Sequence, residues 1–527
     1  MSTSSPPHSL LLVLLLGAAL AAHAADPAAA DIGPYNLGYA TFGDSIPTAR
    51  WVVARVEERS QGNDDLNGDG DTSDQVLHLI EPRGRVAVNL GLAVDEMAAD
   101  DRAVVFAVRE RDQAQRDLNG DGDWLDSVLH SHDFGTGELV NLELAGAPLW
   151  LSEGRALVVV DEKEHFGQDL NGDGDAFDLV LHLVGVQGGA LNLGLAVDGP
   201  HAQVQADGRV AAFLVSEREQ GQDLNGDGDL SDRLLGVIDL AHGTQVQLLG
   251  PATFLRSTVR VSDPWVVYPG TSSGPSTLHV IDLRSGQIVD LGVPAAANAI
   301  AMHGSSLVFG ARVGNDMVLH VYDAESGVLR NVGESIRSLD FDGAMVAFLT
   351  ESREPRAFTP DNGVVGVKGV VSDFGSPHGP LGFYPWVLYG ARETTGEDLN
   401  GDGDFDDEVA GVFDATAPEP INLGLSLRGN GYSTRHCGVV IVSEAEQGAD
   451  LNRDGDLEDT VPHALDPRSG RLISLGVALW SLPGTDGYAR RPAALLFKAS
   501  ERNEQRDLNG DGDTFDFVLF NACPPET

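Results

Sequence analysis

The sequence predicts an all-β protein built from about ten similar units, and three observations lead to this prediction. Short apolar runs, rich in Val, Leu and Phe and bounded by Gly, Asp and Pro, alternate along the chain, a pattern typical of β-strands joined by turns. One acidic string recurs seven times, at intervals of about 52–57 residues where copies are consecutive. No long stretch repeats its apolar residues every 3.6 positions, so long helices are not expected.

Each unit contains three apolar runs in a fixed order. The first run, such as 103–108, leads through the acidic string to a second run, such as 127–130. A turn follows, and a third run, typically Asn-Leu-Gly-Leu-Ala as at Asn89, ends the unit before a more polar segment. Three further units lack the string and are about 40 residues apart; they centre on 265–283, 307–324 and 345–374. Three or four short strands per unit predict the blades of a β-propeller.

The two ends of the chain predict that the propeller closes on itself. The last unit stops after its second run, at 517–520, whereas a copy of the missing third run stands near the N-terminus, at 35–40. A strand at 35–40 that completed the last blade would hide the edges that an open sheet exposes. The repeat domain is predicted to span 25–527, as a single ring or as two smaller rings. In a single ring, the seven acidic units would form one continuous arc.

The N-terminus predicts export from the cytoplasm. Residues 10–22 form an apolar run that is too short to span a membrane, and Ala22-His23-Ala24 fits a cleavage site, so residues 1–24 are predicted to be a signal peptide. The protein is therefore expected to be secreted, periplasmic or at the cell surface. The two remaining cysteines, Cys437 and Cys523, could form a disulfide in such a compartment.

The net charge of −46 argues against nucleic acid as a partner, because that partner requires a basic surface. No stretch after the signal is long and apolar enough to be a membrane span. A protein or a carbohydrate, of unknown identity, is the expected ligand.

The acidic string predicts a calcium site. It reads Asp-Leu-Asn-Gly-Asp-Gly-Asp-x-x-Asp, with Arg453 in place of the first Gly of the sixth copy. Side-chain oxygens at the first, third and fifth positions, followed by Gly, form the first half of an EF-hand-type loop. Positions 1, 3, 5, 7 and 10 are the predicted metal-binding residues, with position 10 closing the site. In the seven copies these are Asp65, Asn67, Asp69, Asp71 and Asp74; Asp117, Asn119, Asp121, Asp123 and Asp126; Asp169, Asn171, Asp173, Asp175 and Asp178; Asp223, Asn225, Asp227, Asp229 and Asp232; Asp398, Asn400, Asp402, Asp404 and Asp407; Asp450, Asn452, Asp454, Asp456 and Asp459; and Asp507, Asn509, Asp511, Asp513 and Asp516.

Electrostatics favours a structural role for about seven bound Ca²⁺ ions. Two carboxylates about 5 Å apart repel by roughly 3 kcal/mol at an effective dielectric constant near 20, so four Asp in ten residues need a cation to fold over one another. Hard oxygen ligands in this number suit Ca²⁺ better than Mg²⁺.

Two other repeated residues leave alternatives open. A Glu ends the run before every string: Glu58, Glu110, Glu162, Glu217, Glu393, Glu444 and Glu501. It could be a metal ligand, a hydrogen-bond acceptor behind the ligands, or a solvated strand end. A His recurs in the second run, at His78, His130, His182, His279, His320 and His463, with and without the string, which favours a packing or hydrogen-bonding role over a metal ring.

The chain resembles known families. The segment 205–213, followed by 235–240, is similar to TolB-type propeller repeats, and the acidic strings resemble the calcium loops of FG-GAP (integrin-type) blades and of dockerin modules. The FG-GAP loop places its last Asp one step earlier than Asp74. These resemblances imply a propeller, calcium and partner binding, without implying one activity.

The expected function is therefore a calcium-binding or scaffold propeller outside the cytoplasm. The alternatives are a propeller-based calcium-dependent hydrolase or lyase, and a purely structural surface protein. No catalytic motif is recognised in the sequence, and no catalytic or organic-cofactor residues are predicted.

Overall fold

The computed structural model describes most of the repeat domain. The described residues are 32–41, 43, 45–199, 204–240, 246–251, 259–270, 277–367, 372, 381–394, 397–428, 432–433, 438–466, 471–481 and 495–523. The predicted signal peptide and Cys437 lie outside them, whereas Cys523 is in a disulfide. Among the described residues, none of the helices has the length and apolar character that a membrane span requires.

Short antiparallel strands account for nearly all of the regular structure. The first twelve are β1 (Tyr35–Ala40), β2 (Ile46–Pro47), β3 (Val52–Glu57), β4 (Gln75–Ile80), β5 (Ala87–Ala99), β6 (Ala103–Arg109), β7 (Ser127–Asp133), β8 (Leu139–Ser152), β9 (Arg155–Asp161), β10 (Leu179–Gly185), β11 (Ala190–Val197) and β12 (Gln205–Asp207). The next twelve are β13 (Val210–Ser216), β14 (Arg233–Asp239), β15 (Gln247–Pro251), β16 (Arg260–Ser262), β17 (Trp265–Pro269), β18 (Thr277–Asp282), β19 (Gln287–His303), β20 (Ser306–Val313), β21 (Asp316–Asp323), β22 (Val328–Phe341), β23 (Val346–Thr350) and β24 (Pro355–Thr359). The last twelve are β25 (Gly363–Gly366), β26 (Leu381–Phe383), β27 (Trp386–Arg392), β28 (Glu408–Asp414), β29 (Ala417–Ser426), β30 (Tyr432–Ser433), β31 (Gly438–Ser443), β32 (Thr460–Asp466), β33 (Arg471–Ser474), β34 (Leu479–Ser481), β35 (Leu496–Ser500) and β36 (Phe517–Asn521).

Four short helical turns follow strands. They are a 3₁₀ turn (Glu110–Asp112), α1 (Glu217–Gln220), α2 (Glu444–Gln447) and α3 (Glu501–Glu504). Ser216 caps α1, because its side chain accepts a hydrogen bond from the Glu219 backbone N–H. Ser443 caps α2 in the same way.

The strands form ten four-stranded units, which we call blades 1 to 10, and which confirm the predicted repeat and the β-propeller architecture. Blade 1 comprises β2, β3, β4 and the first half of β5, and the second half of β5 opens blade 2. The long strands β8, β19 and β22 are shared between neighbouring blades in the same way. Blades 4, 8 and 9 are separate sheets, β12–β15, β26–β29 and β30–β33. Each blade thus has four strands, of which the polar first strand was the least evident in the sequence.

Apolar residues from two successive blades form each core cluster. Phe213 of blade 4 packs with Trp150 and Leu181 of blade 3, for example. Ten such clusters join blade 1 to blade 2 and so on, and the tenth joins blade 10 to blade 1. The succession of interfaces therefore returns to its start, so apolar burial stabilises every blade from both sides.

The N-terminal strand completes the last blade, as predicted. β1 pairs antiparallel with β36, with Tyr35 opposite Asn521 and Ala40 opposite Val518. Blade 10 therefore consists of β34, β35, β36 and β1. The buried Lys498 ammonium adds a tie, because it donates to the backbone carbonyl of Thr41 at 2.9 Å. The edge of β36 is covered by the start of the chain.

The recurring His has the predicted hydrogen-bonding role. In five blades its Nδ1 lies about 3.0–3.1 Å from the backbone carbonyl two residues earlier, as His130 does with Val128. Burial lowers the pKa of His130, and the ring stacks on Phe106 with centroids 6.0 Å apart. His279 differs, because its Nε2 lies 3.7 Å from Asp290.

Candidate metal centres

Each ten-residue acidic string, here called an acidic loop, joins the second and third strands of its blade. The loop at 65–74 lies between β3 and β4, and the loop at 507–516 lies between β35 and β36. The loops belong to blades 8, 9, 10, 1, 2, 3 and 4, in ring order. They occupy one continuous arc, and blades 5 to 7 lack them, as the sequence predicted for a closed succession of units.

Side-chain oxygens at alternate positions fold each loop around its own backbone. In blade 1, Asp65 accepts hydrogen bonds from the backbone N–H groups of residues 68, 69 and 70, at 2.6–3.2 Å. Asn67 Oδ1 accepts from Asp69 N, Asp69 Oδ1 accepts from Asp71 N, and Asp71 Oδ1 accepts from the next-but-one backbone N–H. Gly70 has a φ of 105°, a conformation open to glycine alone, so the sixth position must be Gly.

A buried Glu, here called the clamp Glu, holds the two ends of each loop together. Glu58 accepts the backbone N–H of Leu66 at 2.7 Å with one oxygen and that of Asp74 at 3.0 Å with the other. The same pair of bonds recurs in all seven acidic blades. The seven clamp Glu side chains are at most 5% exposed. The interpretation of this Glu as a solvated strand end is therefore wrong, because charge-assisted bonds bury it.

Blade 7 also has a Glu at this position, Glu351. It follows β23 at the same place, but it is exposed and no acidic loop follows it. A buried Glu thus accompanies the acidic loop, whereas an exposed one does not.

The tenth residue of each loop, here called the closing Asp, lies in an environment that opposes its charge. Burial raises the pKa of all seven closing carboxyls: Asp126 to about 8, Asp74 and Asp178 to about 7, Asp407, Asp459 and Asp516 to about 6, and Asp232 above its usual value. The nearby acidic groups of the loop act in the same direction. Ionising these carboxyls together requires a compensating cation.

The loops bring several acidic groups close enough to share one ion. In blade 1, carboxylate oxygens of Glu58, Asp71 and Asp74 lie within 4.8 Å of one another, and blades 2, 3 and 8 repeat this set. In blade 10, Asp511 joins Glu501 and the two corresponding Asp. The predicted seventh and tenth positions are thus assembled with the clamp Glu. The Asp at the first position instead accepts backbone hydrogen bonds. The Asp at the fifth position belongs to the acidic cluster in blade 10.

The donor chemistry of this set fits a divalent cation. All donors are oxygens, which hard cations prefer. In blade 2, the closing Asp126 is 1% exposed, yet its Oδ1 has no hydrogen-bond partner among the described residues. A buried carboxylate oxygen left without a partner is costly, so the residues present fit a bound ion.

Six of the seven acidic loops also contact the blade that follows them, through the Asn at their third position. In blade 1, Asn67 Nδ2 donates to the Asp112 carbonyl of blade 2 at 2.8 Å. The corresponding bonds link Asn119 to Glu164, Asn171 to Glu219, Asn400 to Glu446 and Asn509 to Ser60, and Asn452 instead reaches the Glu504 side chain. The accepting carbonyls belong to the second residue after the next clamp Glu. This contact was missed in the sequence, although the Glu-x-Asp/Glu pattern of Glu110-Arg-Asp, Glu162-Lys-Glu and Glu217-Arg-Glu could have indicated it.

The Asn of the third apolar run has a role that the sequence did not reveal. Asn89 Nδ2 donates to the Leu66 carbonyl at 2.8 Å, so the fourth strand of the blade supports the second residue of the loop. Asn141, Asn192, Asn422 and Asn36 make the same contact in their blades. The Asn-Leu-Gly motif is therefore part of the loop's support.

Exposed apolar side chains stand at the tips of the acidic loops. They occupy the two variable positions before the closing Asp in six of the seven loops: Trp124, Leu125, Phe177, Leu230, Phe405, Leu457 and Phe515. Phe177 is 77% exposed and Phe515 is 73% exposed. We call this set the apolar tips. Because every loop joins the same two strands of its blade, the tips lie along one face of the arc.

Comparison with known proteins leaves the sequence family open. No family model matches the chain, and no curated protein matches its sequence. The similarity to TolB-type repeats, FG-GAP blades and dockerin modules therefore stays a prediction.

Several solved structures resemble parts of the fold at low identity. The computationally designed Ika8 protein is 15% identical over 66% of this chain and 93% of its own, with a TM-score of 0.31. The tricorn protease is 12% identical over 88% of this chain and 52% of its own, with a TM-score of 0.31. The β-propeller domain of the Trilobed protease from Pyrococcus furiosus is 10% identical over 62% of this chain and 97% of its own, with a TM-score of 0.30. These values carry no argument about function.

Proposed function

We propose that this protein is a calcium-binding β-propeller, a single ring of ten blades, that acts as a binding or scaffold protein at or outside the cell surface. About seven Ca²⁺ ions would be mainly structural. The observation that carries the proposal is the unpartnered, buried Oδ1 of Asp126, which lies in a cluster of acidic groups that recurs along the arc.

The residues that would hold an ion belong to the loops and their immediate support. The closing Asp and the seventh-position Asp would supply carboxylate oxygens, and Asn at the third position and Asp at the fifth would supply further oxygens. The clamp Glu would orient the loop from behind, because both of its oxygens accept backbone N–H groups in all seven acidic blades. When bound, the ion would neutralise mutually repelling carboxylates and so fix the arc.

The apolar tips support a binding role for the same face. Large apolar side chains that are exposed together on one face commonly mark interaction surfaces. A protein or a carbohydrate ligand is consistent with such a surface beside acidic loops. No specific observation on the described residues favours the alternative of a calcium-dependent hydrolase or lyase.

Loss of one loop should remove one ion. We expect Asp65→Ala combined with Asp69→Ala to lower the calcium content by about one ion per chain, because one proposed donor, Asp69, is lost together with Asp65, whose carboxylate accepts the backbone N–H groups that fold the loop. Metal analysis of the purified protein after dialysis in calcium would measure this.

A matched control is available in blade 6, which has no acidic loop. Asp316→Ala combined with Glu325→Ala removes the same charge from exposed positions and should leave the calcium content unchanged. An undiminished ion count in the Asp65/Asp69 variant would contradict a site at this loop.

Export has a separate test. N-terminal sequencing of the protein recovered from outside the cytoplasm of its producing cells should give a chain that begins at Ala25. Recovery of the protein only in the cytoplasm, with residues 1–24 retained, would contradict the proposed location.

A further inference from the structure

We propose that calcium ions lie at junctions between blades, where the acidic loop of one blade supplies one part of the site and the acid two residues after the next clamp Glu (Asp112, Glu164, Glu219 or Glu446) supplies another. This inference rests on the proposed calcium binding. It adds a ligand from the following blade, which the acidic string itself does not contain. Each such ion would contact two blades instead of a single loop.

The junction between blades 2 and 3 provides the strongest support for a ligand from the following blade. The closing Asp126 of blade 2 is 1% exposed, and no group among the described residues donates a hydrogen bond to its Oδ1. The backbone carbonyl of Glu164, from blade 3, accepts Asn119 Nδ2 of this loop at 3.5 Å, and the Glu164 carboxylate adjoins that of Asp126 without being able to donate to it. Two carboxylates in contact repel unless a proton or a cation lies between them. Lys163 also contacts Glu164, but its side chain is 65% exposed, so water largely screens its charge.

The same arrangement recurs on both sides of this junction. In blade 4, the Glu219 carboxylate likewise adjoins that of the closing Asp178 of blade 3. In blade 2, Asp112 occupies the same place relative to the clamp Glu110. The backbone carbonyls of all three following-blade residues accept Asn Nδ2 from the preceding loop. Each of these acids is therefore fixed beside the preceding loop by its own backbone.

The loop of blade 4 is the exception that makes the inference testable. The blade that follows it in the ring has no acidic loop and no clamp Glu; Gly270 follows its second strand, β17, at that place. The closing Asp232 is only half-buried, whereas the other six closing Asp are at most 8% exposed. Asn225 Nδ2 donates to Asp232 within its own loop, as in the other loops, but makes no bond to the following blade among the described residues. Four junctions of the arc therefore have an acid from the following blade, two have Asn503 or Ser60 in its place, and the loop of blade 4 is followed by a blade without a clamp Glu. We infer that this last, open site binds calcium most weakly.

The first experiment tests the ligand from the following blade. Calcium titration of the full chain by calorimetry should show that Glu164→Gln weakens one site by at least about tenfold, because a carboxylate beside the ion is replaced by an amide. Glu153→Gln, an exposed residue of the same blade in the turn between β8 and β9, is the matched control and should leave every site unchanged. Both variants retain the backbone of residue 164.

Melting temperature separates a ligand from a merely structural residue. In EDTA, Glu164→Gln should melt higher than the unchanged protein, because repulsion of Asp126 is relieved. In saturating calcium it should melt lower, because the ion has lost a ligand. A shift of the same sign in both conditions, or calcium affinities equal to those of Glu153→Gln, would overturn the proposal. Failure of the unchanged protein to bind any calcium would instead contradict the proposed function.

The second experiment compares two closing Asp. Asp232→Asn should abolish the weakest binding step and leave six tighter sites, whereas Asp178→Asn should abolish one tighter site and leave the weakest step in place. Seven equivalent sites in the unchanged protein, or the same loss from both variants, would show that the following blade contributes nothing.

Discussion

Removal of calcium by EDTA is expected to lower the melting temperature by about 10 °C or more. A site at tenfold saturation contributes about 1.4 kcal/mol, so seven sites contribute on the order of 10 kcal/mol. For a chain of this size, about 10 kcal/mol corresponds to a shift of roughly 10 °C. Circular dichroism melts of the same preparation in calcium and in EDTA would measure the difference.

Two controls define what this result means. Re-addition of calcium should restore the melting temperature, and magnesium should restore it less, because the smaller ion requires a tighter octahedral arrangement and releases water reluctantly. The same melting temperature with and without calcium would contradict the structural role of the ions, whatever the ion count.

Weakening the closure of the ring should be the most damaging change outside the loops. Leu37 of β1 is 2% exposed and packs in one cluster with Val52, Ile80 and Leu519. We expect Leu37→Ala to cost about 2–5 kcal/mol, because it leaves a cavity between the first and last blades. Urea unfolding monitored by fluorescence would measure the change in the free energy of unfolding.

An exposed leucine supplies the control for that substitution. Leu139 is 45% exposed at the start of β8, so Leu139→Ala should change the free energy of unfolding by no more than about 0.5 kcal/mol. Deleting residues 35–40 should have a stronger effect still, since it uncovers the edge of β36 and favours self-association, visible by size-exclusion chromatography. Equal stability of the two leucine variants would argue that β1 does not hold the ring closed.

The sequence predicted the repeat well because the repeat is a local property. The acidic string and the apolar runs before and after it lie within one stretch of chain, so the number of units and the closing role of 35–40 could be inferred from spacing. The first strand of each blade was harder to recognise. It is often short and polar, as in β12, or continuous with the strand before it, as in β5.

The sequence predicted only the part of the candidate site that lies within one acidic loop. The positions of Asp71 and Asp74 follow from the string, but their pairing with Glu58 depends on hairpin geometry, and the sequence left that Glu among three alternatives. The contact between Asp126 and Glu164 could not be predicted from either blade alone. It exists because one blade is placed against the next, which is a property of the ring rather than of the repeat.

The pairing of Tyr35 with Asn521 has a consequence for the order in which the molecule can be made. The earliest part of the domain to be synthesised finds its partner only when nearly the whole polypeptide is available, and contacts between such distant segments form slowly. Until then, β1 remains unpaired while the other blades fold. A chain truncated before β36 therefore cannot complete blade 10, whereas a full-length chain can.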